Sequence, residues 1–321
     1  MKRILILLTF LLGPGLLYAQ QDAQQSQYMF NGIYINPAYA GYQEKINLHS
    51  YYRNQWTGIP GAPVSMSVAL DASANDGNVG LALQLSSDKL GAQSNFSAYA
   101  NYAYRLRMNV DGTSRLALGL GIGVQQQALN TSLLEPNDPE PKQILGTQSK
   151  LIPDARIGVY YSNNKFYAGL SADNLVSQYL DFSDQPYLAK PKLHIYLTGG
   201  VLFRLSEDLQ LKPSLLLKDD TKGPTSLDIN SFVLIGEKLW LGGSFRTGVK
   251  LYNKGYAPSD VSQVNSAALA VQVFAMENLR IGYSFDFSTG SLQGYSGGTH
   301  EISIGYYFKS AKSRMLTPRY F

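Results

Sequence analysis

From about residue 44 to residue 309 the chain is a series of ~10-residue segments in which every second residue is apolar, the repeat of a membrane β-barrel. Leu116, Leu118, Leu120, Ile122 and Val124 share one parity; Ala117, Gly119, Gly121, Gly123 and Gln125 share the other. Successive strand residues point to opposite sides of a sheet, so the first set forms one surface and the second set another. In a soluble sandwich the face opposite the apolar one is usually charged. Here it is small or polar, and aromatic residues gather at segment ends, which suits lipid outside and a lumen inside.

The pattern predicts an all-β, transmembrane outer-membrane β-barrel of about fourteen antiparallel strands: 44–56, 63–73, 78–87, 92–107, 114–128, 153–162, 165–173, 190–205, 208–218, 225–235, 238–250, 262–275, 278–288 and 299–309. Every second connection is short: Ala74-Asn75-Asp76-Gly77, Asn109-Val110-Asp111-Gly112, Asn163-Asn164, Ser206-Glu207, Gly236-Glu237 and Glu277-Asn278, and Asn, Asp and Gly are the residues that tolerate the positive φ of tight hairpins. Longer connections over 129–152, 174–189, 251–261 and 289–298 alternate with them. A strict short/long alternation is the pattern of tight periplasmic turns and longer external loops. The segment 129–152, with three prolines and Pro153 at its end, is expected to be surface-exposed.

Residues 1–19 have the form of a secretory signal peptide: Lys2 and Arg3, an apolar run from Ile4 to Leu12, then Leu17-Tyr18-Ala19. That run is too short to span a bilayer as a helix. The domain reading is therefore signal peptide 1–19, an N-terminal periplasmic or plug segment 20–43, barrel 44–309 and a basic periplasmic tail 310–321. The formal net charge is +4, of which Lys2 and Arg3 supply two, leaving +2 for the rest. So slight a balance, without a basic patch interleaved with aromatics, gives no sign of a nucleic-acid partner. With no cysteine there is neither a disulfide framework nor a lipid-anchor thiol.

Carrying the alternation through the strands places Arg53, Arg105, Arg156, Arg204 and Arg246 on the lumen face, together with Asp71, Asp173, Asp228, Asp286 and Glu301. An Arg on the lipid face near the midplane costs roughly 2–4 kcal/mol, so this sorting supports the register. A lumen of mixed sign suggests a cross-braced or plugged interior rather than a ring of one charge. Tyr28, Phe30, Asn36, Pro37, Tyr39 and Gly41 make the N-terminal segment too apolar and aromatic for a disordered tail. It is expected to fold against the periplasmic mouth or enter the lumen, the alternative being a short interfacial helix.

Candidate chemistry is thin. Gly294-Tyr295-Ser296-Gly297-Gly298 fits the G-x-S-x-G pattern but lies in a loop, without the strand–turn–helix that strains a nucleophile elbow. His49, His194 and His300 lie on strands with no ligand partner at helical spacing. The glycines of Gly119-Leu120-Gly121-Ile122-Gly123 precede no helix and make no phosphate loop. No catalytic residue, metal site or cofactor is expected, and the chain reads as a non-enzyme.

Two N-terminal stretches go beyond a generic barrel. Gln27-Tyr28-Met29-Phe30-Asn31, followed by Ile35-Asn36-Pro37-Ala38-Tyr39-Ala40-Gly41, resembles the N-terminal signature of the PorP/SprF family. Tyr52-Arg53-Asn54-Gln55-Trp56 with Pro60-Gly61-Ala62-Pro63 is similar to that family's first hairpin. Gly282-Tyr283-Ser284-Phe285-Asp286, Gly297-Gly298-Thr299-His300-Glu301-Ile302 and Pro318-Arg319-Tyr320-Phe321 are similar to its closing strands and tail. The resemblance implies an integral outer-membrane component of the type IX secretion system of Bacteroidetes. Such a protein would support secretion or surface attachment of cargo with C-terminal sorting domains, gliding adhesins among them. Its implied partners, besides outer-membrane lipid, are the system's periplasmic ring proteins, a secreted surface adhesin, or both. The tail cations Lys309, Lys312, Arg314 and Arg319 are candidate docking residues in the periplasm. The alternative is a passive transporter or porin for small solutes.

Overall fold

The computed structural model describes residues 24–133, 146–183, 188–221, 223–254, 266–288 and 294–308. Fourteen antiparallel strands form one closed sheet: β1 Ile46–Asn54, β2 Val64–Ala74, β3 Val79–Leu90, β4 Gln93–Arg107, β5 Arg115–Asn130, β6 Thr147–Ser162 and β7 Phe166–Asp173, then β8 His194–Val201 with its continuation Phe203–Arg204, β9 Leu209–Asp220, β10 Thr225–Ile235, β11 Leu239–Val249, β12 Ser266–Met276, β13 Leu279–Ser288 and β14 Thr299–Phe308. Each strand pairs with its sequence neighbours, and β14 returns to β1 in a register running from Ile46↔Phe308 to Asn54↔His300. Closure removes the unpaired strand edges that an open sheet would present. No helix among the described residues is long and apolar enough to cross a membrane.

The chemistry of the two faces is inverted relative to a water-soluble protein. Leu83, Leu118, Leu120, Ile122, Leu170, Leu241, Leu269 and Ile304 are exposed, whereas Arg53, Arg105, Arg156, Asp71, Asp228, Asp286 and Glu301 are buried. A continuous exposed aliphatic band around buried charge is stable only where the band meets hydrocarbon.

Several features differ from the expected ones. β6 begins at Thr147, so residues 147–152 are strand rather than loop, and β5 runs on to Asn130. Pro153 is tolerated because β7 pairs with β6 only from Ile157 onward, which leaves the Pro153 stretch a local edge where one N–H can be spared. β8 is interrupted at Leu202, beside Pro213 of β9: the ladder holds at Ser214↔Gly200 and again at Leu211↔Phe203, and the register between them sets Val201 opposite Pro213 and Leu202 opposite Lys212. Pro213 has no N–H to donate there. Finally, the short/long alternation is not strict. Gly91 and Ala92 alone join β3 to β4 at the long-loop end, with Leu90 paired to Gln93. Gly91 has φ +56°, the residue and sign that a type II′ hairpin places first. Only residues 221–224 join β9 to β10 at that same end.

At the other end the expected tight turns are present, with left-handed backbone at Asn75, Asp76, Gly77, Gly236 and Glu237. The start of β1 and the end of β14 share that end, called here the short-turn end. At the long-loop end the β1–β2 connection is tied to its neighbours: Thr57 N–H donates to Gly298 O (2.8 Å), Gly297 N–H to Thr57 O (2.7 Å) and Gly91 N–H to Gly61 O (2.9 Å).

Candidate functional site: a lumen filled by the N-terminal segment

Residues 24–43 run inside the barrel as three single 3-10 turns, Tyr28–Phe30, Gly32–Tyr34 and Pro37–Tyr39. Asn36 starts the third turn, with Pro37 in the first helical position, where the missing N–H costs nothing. The Asn36 side chain works in both directions. Its Oδ1 accepts from Ala38 N–H (2.9 Å), and its Nδ2 donates to Val159 O of β6 (3.0 Å) and Leu170 O of β7 (3.4 Å).

The wall is notched to receive this backbone. A Cβ at Gly119 would stand 2.1 Å from Ala38 N, one at Gly80 1.9 Å from Ala40 O, and one at Gly158 2.0 Å from Asn36 Oδ1. Gly119 and Gly158 are register partners on β5 and β6, so their missing side chains form a single recess. Two aromatic clusters close around the segment. Tyr39 stacks on Tyr42 (4.8 Å) and meets Tyr160 edge-on (5.5 Å); Phe30 packs against Phe232 (5.3 Å) and Trp240 (6.0 Å). Such pairs contribute ~0.5–1.5 kcal/mol each beyond area burial. Tyr28 OH accepts from Asn230 Nδ2 (2.6 Å), and Tyr39 OH accepts from Gln43 Nε2 (3.1 Å).

Charged wall residues hold the main chain of the segment. Glu301 accepts from Ser26 N–H (2.8 Å) and Gln27 N–H (2.9 Å), and its carboxylate also lies 3.1 Å from Arg53. Arg53 bridges to Asp286 (2.7 Å) and donates to Ser26 Oγ (2.7 Å). Arg246 makes a two-pronged pair with Asp228 (2.7 and 2.6 Å) and donates to Gln24 Oε1 (2.8 Å) and Gln25 O (3.3 Å). Arg105 donates to Gly41 O (2.6 Å). Arg53, Arg105 and Arg246, with Asp228, Asp286 and Glu301, thus converge on the segment.

Asp71 also faces the backbone of Gly41 at the end of the segment; the remaining wall charges lie elsewhere. Arg156 faces Tyr99 at 3.8 Å and accepts no role in holding the segment; its partners are Gln84 Oε1 (3.0 Å) and Asp173 (3.9 Å), the latter partly exposed. Asp71 accepts from Asn47 Nδ2 (2.8 Å). Arg204 departs from the expected lumen placement: it is exposed, because it ends its strand at the short-turn rim, where Nε reaches Ser206 O (3.3 Å). The tail cations Lys309, Lys312, Arg314 and Arg319, and the signal-peptide residues, lie outside the described residues.

Sequence reasoning missed Lys212. It is fully buried on β9 and donates to Met29 O (2.9 Å), with the rings of Phe30, Tyr167 and Trp240 5.6–5.9 Å away. Its lumen parity between Leu211 and Pro213 was the available signal. Lys254 was missed too: its ammonium is caged at the long-loop end by the Asp219 carboxylate, Asp220 O, Gly223 O (2.7 Å) and Thr225 Oγ1 (3.0 Å). Lys254→Ala is expected to free the β11–β12 connection from the β9–β10 hairpin, read as faster protease nicking of that connection in the folded barrel.

A cavity of about 20 Å3 remains between the segment and the wall, lined by Tyr28, Met29, Ile35, Asn36, Tyr160 and Tyr167. That is room for about one water. Among the described residues no group of three or more His, Cys, Asp or Glu is placed to hold a metal ion. His49 bonds Tyr34 OH (2.9 Å) in the lumen, His194 meets Asn174 (3.1 Å) and Asp220 (3.5 Å), and His300 meets Tyr283 OH (2.8 Å) on the outer face. Ser296 lies in the β13–β14 loop, where its Oγ accepts from Gly298 N–H (3.4 Å).

Among solved structures the chain is similar to the CymD monoaromatic hydrocarbon channel (10% identity, TM-score 0.53, covering 89% of this chain and 94% of that one). It is equally similar to a deltaS2S3 mutant of the TodX monoaromatic hydrocarbon channel (10% identity, TM-score 0.53, 86% and 94%). A Pseudomonas aeruginosa FadL homologue aligns at 12% identity with a TM-score of 0.48, over 91% and 96%. At these identities the likeness is one of fold. Among curated proteins none matches the sequence. The family described as type IX secretion system membrane protein PorP/SprF matches residues 17–306, nearly the whole chain. With an outward aliphatic band, a closed fourteen-strand wall and that match, the chain belongs to the PorP/SprF family of type IX secretion system membrane proteins and is an outer-membrane β-barrel.

Proposed function

We propose that the protein is a non-enzymatic, closed-lumen component of type IX secretion. It supports secretion or surface attachment of cargo with C-terminal sorting domains, gliding adhesins among them, through contacts at its mouths. The observation that carries this reading is the filled lumen: residues 24–43 are anchored by Arg53, Arg105, Lys212, Arg246 and Glu301, and the cavity beside them has room for about one water. A wall so occupied is suited to binding partners and unsuited to passing a folded protein.

The test is to purify the tagged protein from its native membrane and identify what accompanies it, alongside cargo secretion in a strain lacking it. Recovery of a ring protein or a sorting-domain adhesin, with cargo secretion lost in the deletion strain, is the expected result. No partner, intact secretion and a steady porin-level current would favour the competing reading, a passive transporter for small solutes. The likeness of fold to two barrels named as monoaromatic hydrocarbon channels keeps that reading open to test.

With an even strand number, both ends of the strand run lie on one side of the membrane, and we assign the short-turn end to the periplasm. Because the chain has no cysteine, single substitutions report cleanly. On intact cells an impermeant maleimide is expected to label Tyr295→Cys and spare Asp111→Cys; the reverse pattern inverts the barrel. The basic tail would then lie in the periplasm, where it is proposed to meet an acidic partner surface by attraction that weakens with salt. Truncation after Ser310 should leave a folded barrel that loses co-purifying partner, and retention of partner by the folded truncant removes the tail from the mechanism.

A further inference from the structure

The direction of the lumenal segment is fixed by contacts along one strand. Gln24 and Gln25 are held by Arg246 near the long-loop end of β11, whereas Phe30 packs on Trp240, the second residue from its short-turn end. The six steps from Gln24 to Phe30 therefore descend beside the six from Arg246 to Trp240, roughly 20 Å of strand. Neighbouring strands give the same polarity. Ser26 and Gln27 are held by Arg53, Asp286 and Glu301, all within three residues of the long-loop ends of β1, β13 and β14. Met29 is held by Lys212, near the short-turn end of β9, and Gly41 presses on Gly80, the second residue of β3. The chain then leaves at the short-turn end to begin β1 at Ile46.

We propose that the segment is a thread passing through the whole barrel, so that the chain preceding Gln24 emerges at the long-loop mouth. The N-terminal residues of the exported protein are then displayed on the cell surface, although β1 starts and β14 ends in the periplasm. The sequence just upstream of Gln24, Gln20-Gln21-Asp22-Ala23, is polar, which suits a water-facing mouth. The inference rests on the orientation given above only for the name of the side; that the upstream end shares the side of the long loops is independent of it. Assembly follows the same geometry, because the wall must close around a thread whose upstream end already points outward. A folded domain fused ahead of Gln20 would have to pass the barrel or prevent its closure.

The experiment is maleimide labelling of Asp22→Cys and Gln24→Cys, each in the full chain, beside the Tyr295→Cys and Asp111→Cys controls. Intact cells are compared with cells whose outer membrane has been permeabilised. Asp22→Cys is expected to match Tyr295→Cys in both conditions, and Gln24→Cys to follow it more slowly, since Gln24 is half-buried. Asp22→Cys matching Asp111→Cys, or reacting in neither condition, overturns the thread. An inverted pair of controls with Asp22→Cys still matching Tyr295→Cys overturns the orientation and leaves the thread standing. Should Asp22→Cys impair export, Gln24→Cys decides by the same comparison.

Discussion

Gly119→Val is expected to unseat the lumenal segment and raise ion conductance from near zero towards that of a barrel lacking residues 24–40. The added side chain meets main chain rather than a flexible tip: even its Cβ would stand 2.1 Å from Ala38 N, 2.4 Å from Ala38 Cα and 2.5 Å from Pro37 C. Asn36 fixes that turn to the carbonyls of Val159 and Leu170, so a small shift cannot relieve the overlap without breaking the cap. Overpacking in a close-packed interior costs about 1–3 kcal/mol, and contact with backbone places this case at the upper end. About 3 kcal/mol is roughly a hundredfold in the ratio of seated to unseated segment. The wall itself should survive, because Gly119 is an ordinary strand residue and valine favours strands. Ala100→Val, on the outward face of the adjoining strand, supplies the control: a gain in strand preference of the same sign without touching the segment. Single-channel current measures the opening, and heat-modifiable mobility shows that the barrel is intact. A folded Gly119→Val barrel with unchanged current would mean that the segment does not close the lumen.

The barrel was legible because each strand carries its two environments in its own parity: Leu118, Leu120 and Ile122 face out over the whole width of the lipid band, and Ala117, Gly121 and Gln125 face in. Boundaries were less legible where a local rule depends on a neighbour that sequence does not show. Pro153 signals a strand break only if its N–H is needed, and the early end of β7 removes the need. The β3–β4 hairpin carries Gly91-Ala92, without the Asn or Asp that marks the other turns. Parity also misplaced Arg204, since a residue at the last strand position can swing to the rim. The path of the N-terminal segment was not legible at all. Its aromatic density shows that it must be buried, but three isolated 3-10 turns have no period. The contacts that fix its course, such as Ser26 to Glu301, span nearly the whole chain. Lys212 was hidden for the same reason: the rings around it come from Phe30, Tyr167 and Trp240, none of them near it in sequence.

Arg53→Met should be among the most destabilising single changes in the lumen, and more so than removal of either carboxylate it holds. Arg53 is the shared cation between Asp286 and Glu301, with all three side chains buried. Methionine fills much of the same volume and leaves two carboxylates facing each other out of water. Breaking a buried pair by deleting one partner costs roughly 3–5 kcal/mol, and here the deletion strands two anions rather than one. Glu301→Gln is milder in charge, since the Arg53–Asp286 bridge remains. Its loss is specific: one amide oxygen must serve where two carboxylate oxygens accepted from Ser26 N–H and Gln27 N–H separately. An unsatisfied buried donor costs about 1–3 kcal/mol. The triple change Arg53→Met, Asp286→Asn, Glu301→Gln removes the stranded charge and should recover part of the single variant's loss; that non-additivity is expected of residues in one network. The temperature at which the compact barrel converts to the unfolded band in semi-native electrophoresis orders the three. If Arg53→Met unfolds no earlier than Glu301→Gln, the charge network is incidental, and the thread is held by its glycine recesses and aromatic contacts instead.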